Sequence, residues 1–243
     1  MRGSKGPLLW IFSDPEALSR AAATLFARRA RQAIRRSGRF AVALSGGQTP
    51  RQAYEWLARS PCRDAVEWDR VHVFWGDERC VPFEDPRNNA RMAFEALLNH
   101  VPIPQDQIHP IACADDPKAA AARYERILRD FFGERPARFD LVFLGLGEDG
   151  HTASLFPFSP ALEEQVRWVV AVEEATPPRV TLTFPLLNQA RLVAFLVSGA
   201  NKAGILREVL RSPPNLRQRP AQGIRPIGGR VLWLVDRAAG SLL

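Results

Sequence analysis

A chain of 243 residues, 46% hydrophobic and 24% charged, carries enough apolar material to bury a sizeable core, which excludes an intrinsically disordered protein. Its formal charge of +7 rests on arginine, since lysine occurs only at Lys5, Lys118 and Lys202 among the 33 basic residues. The arginines are scattered rather than gathered in a tail, so they read as solvated surface, and nucleic-acid binding ranks below an anionic small-molecule substrate.

The first apolar run, LLWIF (8–12), predicts a strand; it is too short for a signal-peptide core, and no small-residue cleavage site follows it. Ser13 or Asp14 then caps a helix, with Pro15 at its first position, running to about Arg36. FAVALS (40–45) predicts a buried strand leading through GGQTP into a helix over 50–59, with Thr49 as its N-cap and Pro50 at N1. A strand at 70–78, RVHVFWGDE, ends in charge and is followed by helices over 88–99 and 117–132. FDLVFLGLG (139–147) is apolar on both faces, as an interior parallel strand should be. WVVAV (168–172), RVTLTF (179–184) and RLVAFLVSG (191–199) predict further strands, then a helix over 201–211 and a last strand, RVLWLVD (230–236).

This alternation specifies an α/β fold: a single-domain, Rossmann-like, mostly parallel sheet with helices on both faces, spanning 1–243 without a linker. No run approaches the roughly 18 apolar residues of a membrane helix. Cys62, Cys80 and Cys113 are widely spaced and form no CxxC pair, so neither a disulfide framework nor a zinc site follows. An odd, sparse cysteine count fits a reducing compartment, and the expectation is a cytoplasmic protein.

In such sheets ligands bind beyond the carboxyl ends of the strands, where four unusual loops should converge. SGGQTP (45–50) offers Gly46 and Gly47 for close backbone approach and a helix N-terminus for an anion, yet it is neither a Walker A loop nor GxGxxG. SGANKAGIL (198–206) repeats the arrangement and puts Lys202 in a first helical turn, where a cation is locally unfavourable unless an anion sits between it and the helix. GDERCVP (76–82) presents Arg79, whose planar fork suits phosphate or carboxylate. GEDGHTASLFP (147–157) holds His151 in a glycine-rich turn, as a general base for water attacking a carbonyl, with Asp149 close enough to orient the ring. His72, His100 and His109 keep structural readings. GxSxG, HExxH and clustered His/Cys ligands are absent from the sequence, so neither a covalent nor a metal route has support.

The segments ALSGGQTP, FWGDERCVP, NNARMAFEALL, LGLGEDGHTASLFP, PPRVTLTFPLLNQA, FLVSGANKA and RPIGGRVLWLVDRAA, in that order and spacing, resemble the 6-phosphogluconolactonase family. The resemblance implies the fold shared with glucosamine-6-phosphate deaminases and ribose-5-phosphate isomerases. It also implies hydrolysis of 6-phospho-D-glucono-1,5-lactone in the oxidative pentose phosphate pathway, with no cofactor and no metal. By the same resemblance His151 is the base, Arg79, Arg179 and Lys202 contact the substrate, and Gly46, Gly47 and Thr49 belong to the sugar-phosphate loop. Asn88, where the family often has serine, and Phe158, where glycine is common, depart from the pattern. The expected partner is a phosphorylated sugar lactone, with no nucleic acid, membrane or obligate protein partner. Two alternatives are an amino-sugar-phosphate deaminase, which would carry a GHIAFNEP-like stretch after its histidine, and a non-catalytic sugar-phosphate sensor.

Overall fold

A computed structural model describes residues 8–113, 116–133 and 137–243. Among the described residues, nine strands and six α-helices follow in chain order: β1 (Leu8–Phe12), α1 (Pro15–Ser37), β2 (Phe40–Leu44), α2 (Gln48–Leu57), β3 (Val71–Trp75) and β4 (Asp77–Arg79). Then come α3 (Asn89–Ala96), α4 (Pro117–Phe132), β5 (Leu141–Leu144), β6 (Val169–Val172) and β7 (Arg179–Leu182). The chain closes with α5 (Phe184–Leu187), β8 (Leu192–Val197), α6 (Ala203–Arg211) and β9 (Arg230–Asp236).

Strands β2, β5 and β8 are apolar at every position and buried at every position, which is why they form the interior of a parallel sheet. The full order is β1-β9-β8-β5-β2-β3, every pairing parallel. Phe26 of α1 lies 5.1 Å edge-on to Phe40 and 6.4 Å from Phe143, so one helix aromatic packs against two neighbouring strands. Asp14 caps α1 by accepting from the Ala17 amide at 2.8 Å, and Gly38, at φ 75°, closes it in the left-handed conformation that glycine tolerates best.

The charged end of the third predicted strand behaves differently from expectation. Gly76 donates to Leu44 O (2.8 Å) in the main sheet and accepts from the Leu182 amide (2.8 Å). The chain therefore leaves β3 and opens a second, antiparallel sheet in the order β4-β7-β6. Of the runs at 168–172 and 179–184, residues 169–172 and 179–182 belong to that small sheet and not to the parallel one, and Phe184 opens α5 instead. Helix α4 packs over its β6 and β7 strands.

The reading of the cysteines is corrected: Cys80 and Cys113 form a disulfide, Cα to Cα 4.7 Å. The approach is non-local. Ile108 bridges Val73 in parallel and the His109 amide donates to Val73 O at 2.8 Å, so the segment to Cys113 runs alongside the β3–β4 edge. Sequence spacing carries no trace of that pairing, and with two of three cysteines joined, the count is no argument for a reducing compartment. Cys62 is free. Among the described residues, no helix is long and apolar enough to cross a membrane.

Candidate active site

The four unusual loops leave the carboxyl ends of β8, β5, β2 and β3, which are consecutive in the sheet. The histidine loop, after β5, therefore stands between the two glycine loops, after β2 and β8. Those two are near copies in backbone: Gly47 has φ 106° and ψ 164°, and Gly199 has φ 100° and ψ 144°. Each is the N-cap of the helical turn that follows, and no side chain caps either one. The expected cap at Thr49 is corrected: Thr49 and Pro50 lie inside the first turn of α2. A side-chain cap would take up one of the first-turn N–H groups; a glycine cap leaves those of Gln48 and Thr49 in α2 for an anion, Pro50 having none. Gly46 has no room for a side chain, because a Cβ there would meet the amide of Asn89. That amide is held in turn by donating to Asp77 O at 3.0 Å.

The histidine turn is closed by its own backbone. The Gly147 amide donates to His151 O (2.9 Å), the Gly150 amide to Gly147 O (3.1 Å), and Thr152 Oγ1 to Gly145 O (2.8 Å). Gly147 is required because a Cβ would fall on the imidazole, and Gly150 sits at φ 87°. Asp149 Oδ1 accepts from the His151 amide at 3.0 Å and lies 2.6 Å from Nδ1. An ionised carboxylate can only accept, so Nδ1 carries the proton and the Nε2 lone pair of a neutral ring is left available. Burial raises the Asp149 pKa, but the hydrogen bonds from the His151 side chain and backbone outweigh it and hold the carboxyl below its ordinary value. The Phe156 ring packs 4.6 Å from the imidazole.

The cations come from both flanks. Arg79 and Arg179 stand opposite each other in the β4–β7 register, and the Arg179 guanidinium lies 5.8 Å over Phe156. Burial pushes Arg179 below the ordinary arginine value and the neighbouring Arg79 charge adds to the effect, against the pull of Asp77 and Glu78. Arg79 Nη1 donates to Arg87 O at 2.6 Å, while its buried Nε has no partner among the described residues. On the other flank Lys202 Nζ is 3.9 Å from Glu148 Oε1, which also accepts from Asn201 Nδ2 at 2.6 Å. Lys202, Glu148, His151, Phe156, Arg179 and Arg79 thus follow one another around one rim.

The tie between the histidine loop and the small sheet escaped the sequence reading. Ser154 Oγ donates to buried Asp77 at 2.6 Å and its amide to Thr181 Oγ1 at 3.2 Å, tying the histidine loop to the small sheet. The Ser in HTASLFP was the one visible signal for this tie, and its partners are 77 and 27 residues away. Glu78 accepts from three backbone amides, those of Arg79, Asn89 and Ala90. Burial nevertheless pushes its carboxyl up to about 7, and Asp77 adds to the rise. Phe158 adopts φ 62°, the left-handed region, which gives a physical reason for glycine being favoured at that place. It is exposed and walls a recess of about 370 Å³ together with Phe156, Glu174 and Arg179. Among the described residues no group of three or more His, Cys, Asp or Glu side chains is placed to hold a metal ion.

Residues 13–233 match the family model described as glucosamine-6-phosphate isomerases/6-phosphogluconolactonase. The chain belongs to the glucosamine-6-phosphate isomerase/6-phosphogluconolactonase family. A 6-phosphogluconolactonase of Synechocystis is 46% identical over 217 residues, covering 87% of this chain and 88% of its own. The Mycobacterium tuberculosis 6-phosphogluconolactonase is 38% identical, with 96% and 97% covered. Among solved members of the family, the 6-phosphogluconolactonase from Trypanosoma cruzi superposes with a TM-score of 0.87 at 29% identity, covering 99% of this chain and 98% of that one. A monomeric glucosamine-6-phosphate deaminase superposes at TM-score 0.80 with 21% identity over 97% and 100%, which shows the shared fold alone.

Proposed function

We propose that this protein hydrolyses 6-phospho-D-glucono-1,5-lactone to 6-phospho-D-gluconate, in the oxidative pentose phosphate pathway and in the cytoplasm, as a single domain over 1–243. The observation that carries the reading is the 2.6 Å contact between Asp149 and His151 Nδ1, which fixes the ring inside a rim of cations. His151 Nε2 takes a proton from water as the water oxygen bonds to C1. The carbonyl electrons move onto its oxygen, giving a tetrahedral oxyanion. Collapse restores the carbonyl and breaks the bond from C1 to the ring oxygen, which receives the proton back from His151. One water is consumed, and the lactone is already an activated ester, so no covalent enzyme intermediate, cofactor or metal is called for.

Arg79, Arg179, Lys202 and the glycine-capped first turns around Gly46, Gly47 and Thr49 supply positive potential for the phosphate and for the oxyanion. A single well-aimed oxyanion donor is worth ~3 kcal/mol of barrier. A phosphorylated sugar lactone as the only required partner, with no nucleic acid, membrane or obligate protein, completes the reading. Its test is direct. Freshly prepared lactone should disappear far faster with the protein than by spontaneous hydrolysis. An unchanged rate, or ammonia release from glucosamine 6-phosphate instead, would overturn it.

A further inference from the structure

The pole of the sheet opposite the rim holds a second charged assembly that lactone hydrolysis leaves unused. Arg39 precedes β2, Arg138 and Asp140 precede β5, Arg191 precedes β8, and Arg230 opens β9. The last turn of α1 adds Arg36. A recess of about 300 Å³ opens among these groups, lined by Arg36, Arg39, Phe132, Arg138, Asp140 and Arg191.

Asp140 is the one carboxylate among the described lining residues, and its oxygens are already engaged. Oδ1 accepts from Arg36 Nη2 at 2.5 Å, and Oδ2 accepts from the Ala41 amide at 3.0 Å. Arg191 Nε stands 3.3 Å from Oδ1 but is not aligned to donate to it. Arg191 Nε and Arg138 Nε are both buried without a hydrogen-bond partner among the described residues. Arg138 reaches Gly228 O through Nη2 at 2.7 Å, and Arg39 lies 4.1 Å over the Phe131 ring.

Cations in the last turn of a helix offset its dipole, which accounts for Arg36. It does not account for Arg39, Arg138 and Arg191, which arrive from three separate strand entrances. Four guanidinium groups around one carboxylate repel each other. Burial pushes Arg191 below the ordinary arginine value, and the charges on Arg36 and Arg138 push it further. A monovalent anion would leave most of that repulsion in place; a ligand with two or more charges and forked oxygens relieves it and meets the guanidinium geometry.

We propose that this recess is a second anion site, binding a compact phosphorylated ligand of at least two negative charges through Arg36, Arg39, Arg138 and Arg191. It is separate from the rim and independent of the lactonase reading. Inorganic pyrophosphate is the probe, titrated calorimetrically into the full chain at low salt. Binding should persist in Lys202→Ala, which weakens the rim, and should fall by about tenfold or more in Arg138→Gln. Arg39→Gln, which also leaves the Asp140 pairs intact, should weaken binding in the same direction and serves if Arg138→Gln does not fold. Both arginine variants should hydrolyse lactone at the wild-type rate. The proposal is overturned if the wild-type chain takes up no pyrophosphate. It is equally overturned if Lys202→Ala abolishes uptake while the arginine variants leave it unchanged.

Discussion

The proposed chemistry stands or falls on the imidazole of His151 and the carboxylate 2.6 Å from it. His151→Ala should lower kcat by ~100-fold or more with KM nearly unchanged, as for loss of a general base; steady-state kinetics on fresh lactone would check this, and unchanged turnover would remove the role. Asp149→Asn keeps the shape but replaces a charged acceptor by a neutral one, so kcat should drop by about tenfold. Glu78 makes a separate prediction about stability. Its ordinary value is 4.5 and burial raises it to about 7 in the folded chain. Between those values the folded protein keeps a proton that the unfolded chain has released. This group's contribution therefore favours folding at low pH and declines as pH rises from about 4.5 to about 7, by on the order of 3 kcal/mol. A carbon-13 titration of that carboxyl should show a midpoint near neutrality; a midpoint at the ordinary glutamate value would refute the account.

At the scale of elements, the two glycine-capped turns after β2 and β8 are the proposed anchors for the phosphate. Lys202→Ala should raise KM by about tenfold with little change in kcat, because the charge acts on a group remote from the bond being broken. An effect confined to kcat would place Lys202 at the oxyanion instead. The disulfide belongs to this scale as well, since it staples β4, and so Arg79, to the segment leading into α4. It closes a loop with a sequence separation of 33, and loop-closure entropy puts its worth at up to about 4 kcal/mol. Melting the protein with and without reductant should show a lower midpoint in the reduced sample, and Cys113→Ser should melt like the reduced wild type. The order of the parallel strands and of the longer helices was legible from sequence because each rests on local signals: the apolar runs of β2, β5 and β8, Asp14 and Pro15 at the start of α1, glycines at the loops. The short α5 was not, since 179–184 reads as one strand. The departure of the chain at Gly76 was not, since it depends on Leu44 and Leu182, distant residues that capture its carbonyl and amide. The positions of His151 and Lys202 in loops at strand ends were readable from their turns. The Arg79–Arg179 pairing and the Ser154–Asp77 tie are products of register between strands far apart in the chain, and no local pattern announces them.

For the molecule as a whole, charge is divided between two ends: cations around the rim at one, the arginine recess at the other. The three rim cations and the four arginines of the recess are seven of the 33 basic residues, and they are spread along the chain, so neither cluster is visible as a run of charge. The topology has a consequence of a different sort. The last strand, β9, is inserted between β8 and β1, so the first strand has no neighbour in the sheet until the final stretch has been made. During synthesis on the ribosome, β1 must wait as an unpaired apolar segment for the whole length of translation. A chain stopped at residue 229 should therefore lose β9 and β1 together rather than β9 alone. Amide exchange on such a truncated chain should find residues 8–12 as unprotected as a free peptide, and protection there would contradict the insertion order.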